Sequence, residues 1–158
     1  MQQPHTEPAP STAAIHGHPI HPMVIPFPLT YLVTALATDL AFWATADPFW
    51  ARASLWLVGA GVIMGLAAAA SGLIDFFTIR RAREHTLGWI HFVGNTSALL
   101  LSLVNWLLRF AEPAAAILPW GLLISIVVAA ILGVTGWAGG ELSYRYRIGV
   151  MTSADGRF

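Results

Sequence analysis

Ala53-Ser54-Leu55-Trp56-Leu57-Val58-Gly59-Ala60-Gly61-Val62-Ile63-Met64-Gly65-Leu66-Ala67-Ala68-Ala69-Ala70-Ser71-Gly72-Leu73-Ile74-Asp75-Phe76-Phe77 runs for 25 residues with a single charge near its end. A helix of about 20 apolar residues crosses the hydrocarbon core of a bilayer, and a water-exposed helix of this length would carry a polar face. Three more runs of the same kind flank it, residues 23–46, 87–108 and 114–142. Lipid offers the backbone no hydrogen bonds, so each run must be a helix that satisfies itself. The connections, residues 47–52, 78–86 and 109–113, are short. Short connections make successive helices antiparallel neighbours. The fold expected is therefore all-α, an integral membrane four-helix bundle running up, down, up and down. A polar, Pro-rich tail over residues 1–17 precedes a transmembrane domain over 18–150, and residues 151–158 form a C-terminal tail.

Composition agrees with that fold. The 158 residues are 56% hydrophobic and 10% charged, against about 25% charged in soluble domains. Net charge is zero and all eight basic residues are arginines, which gives no basic surface for nucleic acid. The absence of cysteine removes disulfides, thiolate metal sites and iron–sulfur ligation by this chain. The N-terminal tail lacks a basic start and an early apolar stretch, so it does not read as a cleavable signal peptide. Arg80, Arg81, Arg83, Arg145, Arg147 and Arg157 fall on one side of the expected bundle, and only Arg52 and Arg109 on the other. The positive-inside rule then places both termini in the cytoplasm, in a multi-pass protein of a bacterial inner membrane. Trp43, Trp50 and Trp56 at one boundary, with Trp89 and Trp137 at the other, suit interfacial belts.

Small and polar residues recur on one face of each later helix: Gly61, Gly65, Ala68, Gly72 and Asp75; His91, Asn95, Ala98, Ser102 and Asn105; Gly121, Ser125, Ala129, Gly133, Gly136 and Gly140. Such faces let membrane helices approach closely. Asp39 lies deep in the first run, to pair with Arg52 or to bond across helices. The halves also read alike. Ile20-His21 opens the first run as Ile90-His91 opens the third, and Asp75 with Arg80-Arg81 closes the second as Glu141 with Arg145 closes the fourth. A duplication would relate two helical hairpins by a pseudo-twofold axis along the membrane normal.

Topology gathers His16, His18, His21, Asp75, Arg80, Arg81, Arg83, His85, His91, Glu141, Tyr144 and Arg145 at the cytoplasmic end. Two chemistries suit that cluster. His21 and His91 are placed to be axial ligands of haem b. Alternatively His18, His21, Asp75, His91 and Glu141 offer nitrogen and oxygen ligands to a transition metal, supported by Arg80, Arg81, Asn95, Tyr144 and Arg145. A collar in which these groups merely satisfy one another is the structural alternative. His16-x-His18-x-x-His21 is a weaker metal motif alone, because Gly17 and Pro19 break a regular helix.

The strings His18-Pro19-Ile20-His21-Pro22-Met23-Val24-Ile25-Pro26-Phe27-Pro28, Gly72-Leu73-Ile74-Asp75, Gly88-Trp89-Ile90-His91-Phe92-Val93-Gly94-Asn95 and Gly136-Trp137-Ala138-Gly139-Gly140-Glu141-Leu142 together resemble the DUF2231 family of bacterial four-helix membrane proteins. The resemblance runs from about Gly17 to Val150, and the family has no assigned function. It implies that His18, His21, Asp75, His91, Asn95, Gly140 and Glu141 are family motif positions. Fusion of similar segments to Rieske domains and cytochromes c implies, by association, a redox or anchoring role. Tyr146 stands where many members have a histidine. The function expected is a non-enzymatic accessory subunit that binds haem or metal for membrane electron transfer. It would lie in lipid as a homo-oligomer or within a larger complex. The alternative is a purely structural subunit, and proton or small-solute transport is a third reading.

Overall fold

The computed structural model describes residues 7–151. Arg157 and the outer parts of both tails lie outside the described residues. Four helices are long and apolar enough to cross a membrane: Ile20–Thr45, Pro48–Thr78, Thr86–Leu108 and Pro113–Arg145. Each packs on the two helices beside it, so the four close into a square in the order first, second, third, fourth.

The helix limits follow local chemistry. Pro22 sits in the first turn of the first helix, where its missing N–H removes no helical bond. The first helix therefore starts at Ile20, and His21 lies on it instead of in the loop before it. Ala46 takes left-handed angles (φ 53°), and Asp47 accepts a 2.9 Å bond from Phe49 N. With Pro48 at the first helical position this starts the second helix at once. The connection expected over residues 47–52 shrinks to Ala46 and Asp47, and Arg52 joins the helix. That helix is 31 residues long, about 46 Å at the usual rise, and extends past a hydrocarbon core of about 30 Å. A short helix, Arg80–Glu84, bridges to the third. The fourth opens into a π turn over Ile117–Gly121, where Leu118 leaves helical angles (φ −107°, ψ 129°), because Pro119 disfavours them in the residue before it.

One end of the square is capped by chain outside the spans. Ala14–Ile15 and His18–Pro19 pair antiparallel around His16 and Gly17, both at positive φ, as a two-residue hairpin requires. Ala9–Pro10 pairs in parallel with Ile148–Val150, which joins the N-terminal segment before the first helix to the segment after the fourth. Phe76, Ile79, Ala82, Leu142 and Ile148 form a core beneath this cap. A second core of Leu32, Ala35, Val58, Ala98 and Val128 fills the middle of the bundle.

The halves repeat in their burial. Pro28, Leu32, Ala35 and Asp39 are among the inward residues of the first helix, and Ala98, Ser102, Asn105 and Arg109, each 70 positions on, are buried at the third. Ser54, Val58, Gly61, Ala68 and Ser71 of the second helix correspond in the same way to Gly121, Ser125, Val128, Thr135 and Ala138, each 67 positions on. The residue types differ at all nine pairs, and the correspondence in burial is partial: Thr38, Ala51 and Gly59 are buried, while Leu108, Leu118 and Ile126 at the corresponding positions are exposed.

Small-residue packing is found on the second helix, where Gly61 meets Leu32 of the first helix and Gly65 meets Leu99 of the third. The fourth differs. Gly133 and Gly136 face outwards with nothing within 4 Å of a built Cβ, and the inward face is instead Gly121, Ser125, Val128, Thr135 and Ala138.

Candidate functional site

His21 and His91 occupy equivalent positions, and their environments match. His21 Nδ1 donates to the Ala68 carbonyl at 2.9 Å, and its ring lies against Gly72, where a Cβ would come within 2.8 Å of Nδ1. His91 Nδ1 donates to the Thr135 carbonyl at 2.8 Å, and its ring lies against Gly139, where a Cβ would come within 2.7 Å of Cε1. In each hairpin the carbonyl acceptor precedes the glycine by four residues, one helical turn. The glycine is needed because only a bare backbone leaves room for an imidazole to lie flat on the neighbouring helix.

A carbonyl oxygen only accepts, so each neutral ring carries its proton on Nδ1 and leaves Nε2 as a lone pair. Neither Nε2 has a hydrogen-bond partner among the described residues, and neither is a sealed, unsatisfied atom. The ring centres are 5.9 Å apart and the planes 79° from parallel. Asn95 braces the His91 side: its Nδ2 donates to the His91 carbonyl at 2.8 Å, and its Oδ1 accepts from Thr135 Oγ1 at 3.0 Å.

The other residues expected at this site are turned to different work. Asp75 accepts from Ser11 Oγ at 2.7 Å, Thr12 N at 2.8 Å, Thr12 Oγ1 at 3.0 Å and Ala13 N at 2.9 Å. This carboxylate clasps the N-terminal segment, and the Ala13 carbonyl then accepts from Ile20 N at 2.9 Å at the start of the first helix. Glu141 pairs with Arg145 at 3.3 Å, and Arg80 with Glu84 at 2.7 Å. Arg81 donates to the carbonyls of Glu7 and Tyr146, at 2.5 and 3.0 Å, tying the N-terminal segment to the C-terminal one. Arg83 donates to the Phe76 and Phe77 carbonyls. His18 is exposed on the hairpin with Nδ1 at 3.1 Å from the His16 carbonyl, Tyr144 is 91% exposed, and Tyr146 lies against His85 with ring centres 4.3 Å apart.

Among the described residues no three of His, Asp or Glu gather closely enough to hold a metal ion. Of His18, His21, Asp75, His91 and Glu141, the two rings of His21 and His91 lie together, while Asp75 holds the N-terminal segment, Glu141 pairs with Arg145 one turn on and His18 is exposed on the hairpin.

A second polar cluster lies at the opposite end of the spans. Arg109 and Asp39, both 0% exposed, form a bidentate pair, Nη1 to Oδ1 at 2.7 Å and Nη2 to Oδ2 at 2.8 Å. Ser54 Oγ donates to Asp39 Oδ1 and Ser125 Oγ to Oδ2, both at 2.6 Å. Arg109 Nε donates to Asn105 Oδ1 at 3.1 Å, and Asn105 Nδ2 to the Gly121 carbonyl at 3.2 Å. All four helices contribute. The partner of Asp39 is therefore Arg109, not Arg52, which is exposed on the second helix. The sequence did carry a signal for this: Asp39 follows His21 by 18 residues, as Arg109 follows His91. With every donor and acceptor paired, this cluster is a clamp between helices.

Residues 17–152 match a family model described as a predicted membrane protein, DUF2231. No curated protein and no solved structure matches the chain.

Proposed function

The chain belongs to the DUF2231 family of predicted membrane proteins, and from that premise we propose that it is a non-enzymatic accessory subunit that holds a haem b or a transition metal between His21 and His91. The observation that carries this reading is the pair of imidazoles, each locked by its Nδ1 proton to a helix carbonyl and each with Nε2 left over. Histidine ligands in metal and haem sites are held in this way, since the second-nitrogen bond fixes tautomer and ring orientation. The ring centres are 5.9 Å apart, close enough for the two imidazoles to share one ion. Such a centre inside a membrane bundle serves electron transfer to or from a partner. The subunit acts as a homo-oligomer or within a larger membrane complex. The arginine distribution supports a bacterial inner membrane with both termini, and hence the histidine pair, at the cytoplasmic side.

The test is a visible absorption spectrum of the purified full chain with metal analysis. A Soret band or one metal per chain, lost in His21→Ala and His91→Ala, is the expected result. Neither band nor stoichiometric metal overturns the reading.

The full pairing of buried side-chain polar atoms among the described residues favours a second reading, a structural subunit whose histidines pin each hairpin through the Ala68 and Thr135 carbonyls. Under it the two alanine variants lower stability and no cofactor is lost.

A further inference from the structure

Resting on the reading of His21 and His91 as a ligand pair, we infer that its occupant is a single cuprous ion held by the two Nε2 atoms in near-linear coordination.

The ligand set carries the argument. The site offers two neutral imidazoles, while the nearest carboxylates are spent: Asp75 accepts four bonds from Ser11, Thr12 and Ala13, and Glu141 faces Arg145. The chain has no thiolate. Zinc in a protein takes four ligands, or three and a water, and calcium and magnesium take six or more oxygens. Cupric copper wants a tetragonal set of nitrogen and oxygen. None of these is satisfied by two histidines among the described residues. Cuprous copper is a closed-shell ion for which two collinear nitrogen donors are a complete coordination sphere.

Charge points the same way. His21 and His91 lie on helices that span the membrane, and the solvation penalty of an ion grows with the square of its charge. A divalent ion on two neutral ligands would keep both charges uncompensated. A monovalent ion keeps one. Haem is disfavoured by packing, because each imidazole lies directly on a glycine of the neighbouring helix and the arginines suited to propionates, Arg80 and Arg81, are engaged with Glu84, Glu7 and Tyr146. A two-coordinate site that does not suit cupric copper also holds the ion at high potential, which agrees with an electron-accepting subunit.

The experiment titrates the detergent-purified full chain with cuprous ion, without oxygen, against the cuprous chelator bathocuproine disulfonate. One copper per chain should be retained, silent in electron paramagnetic resonance and with two nitrogen scatterers at the copper absorption edge. His21→Asn and His91→Asn remove Nε2 while leaving an amide to donate to Ala68 or Thr135, so they should unfold as the parent does and each lose the copper. His18→Asn should keep it. Copper retained by both variants, or held by four ligands, overturns the inference. Haem or zinc bound through the same two histidines, with no copper, overturns the inference and leaves the ligand-pair reading standing. Binding of no metal and no haem overturns both.

Discussion

Asp39 and Arg109 sit at equivalent positions of the two hairpins, each 18 residues beyond its histidine, and meet in a fully buried bidentate salt bridge. The equal spacing thus brings like residues together at one end, His21 with His91, and opposite charges together at the other. The second contact locks the four helices and the first leaves two lone pairs unused.

Removing one member of the lock is expected to be severe. Asp39→Asn leaves the Arg109 guanidinium buried without its counter-charge, and loss of one partner of such a pair costs about 3–5 kcal/mol. The double variant Asp39→Leu with Arg109→Met should be more stable than either single change, since no unpaired charge remains. Thermal unfolding of Asp39→Leu, Arg109→Met and the double variant in detergent checks this, and a double variant no better than Asp39→Leu alone would contradict it.

The glycines under the histidines should be intolerant, and equally so. Gly72→Ala and Gly139→Ala each push a methyl into an imidazole, and overpacking of this kind costs about 1–3 kcal/mol. Gly133→Ala meets nothing within 4 Å and should be neutral or gain up to about 1 kcal/mol from helix propensity. Melting temperatures measured side by side decide it.

Asp75→Ala should release the N-terminal segment without unfolding the bundle. Bonds to an ionised acceptor contribute about 1.5–3 kcal/mol each, and four of them converge here. Amide hydrogen exchange at Thr12 and Ala13 should rise at least tenfold, while the amides of the mid-bundle core around Ala98 keep their protection. Equal loss of protection at both places would make Asp75 a residue of the global fold instead.

The proposed sidedness, with the arginine-rich connection on the inner side, is open to direct labelling, because the chain has no cysteine of its own. Glu112→Cys, in the connection poor in arginine, should react with a membrane-impermeant maleimide in intact spheroplasts. Glu84→Cys, in the arginine-rich connection, should react only after lysis. The reverse pattern would place the histidine pair on the outer side.

The four spans, their order and the inward stripes of the second and third helices were legible in the sequence, because apolar length and helical periodicity are local properties that lipid enforces. So was the equivalence of His21 and His91, carried by spacing alone. The outward turn of Gly133 and Gly136 was not, since a small residue suits close packing and open lipid alike. Tertiary structure alone decided what each polar group meets. Asp75 and His21 lie within reach of one end of the bundle by topology, but hairpin geometry at His16 and Gly17 brings Ser11, Thr12 and Ala13 onto the carboxylate and leaves the imidazole free of it. Asp39 likewise had two arginines within sequence reach, Arg52 and Arg109. The choice fell to the helix face each one occupies, a matter of rotation about the helix axis that hydropathy does not record and packing does.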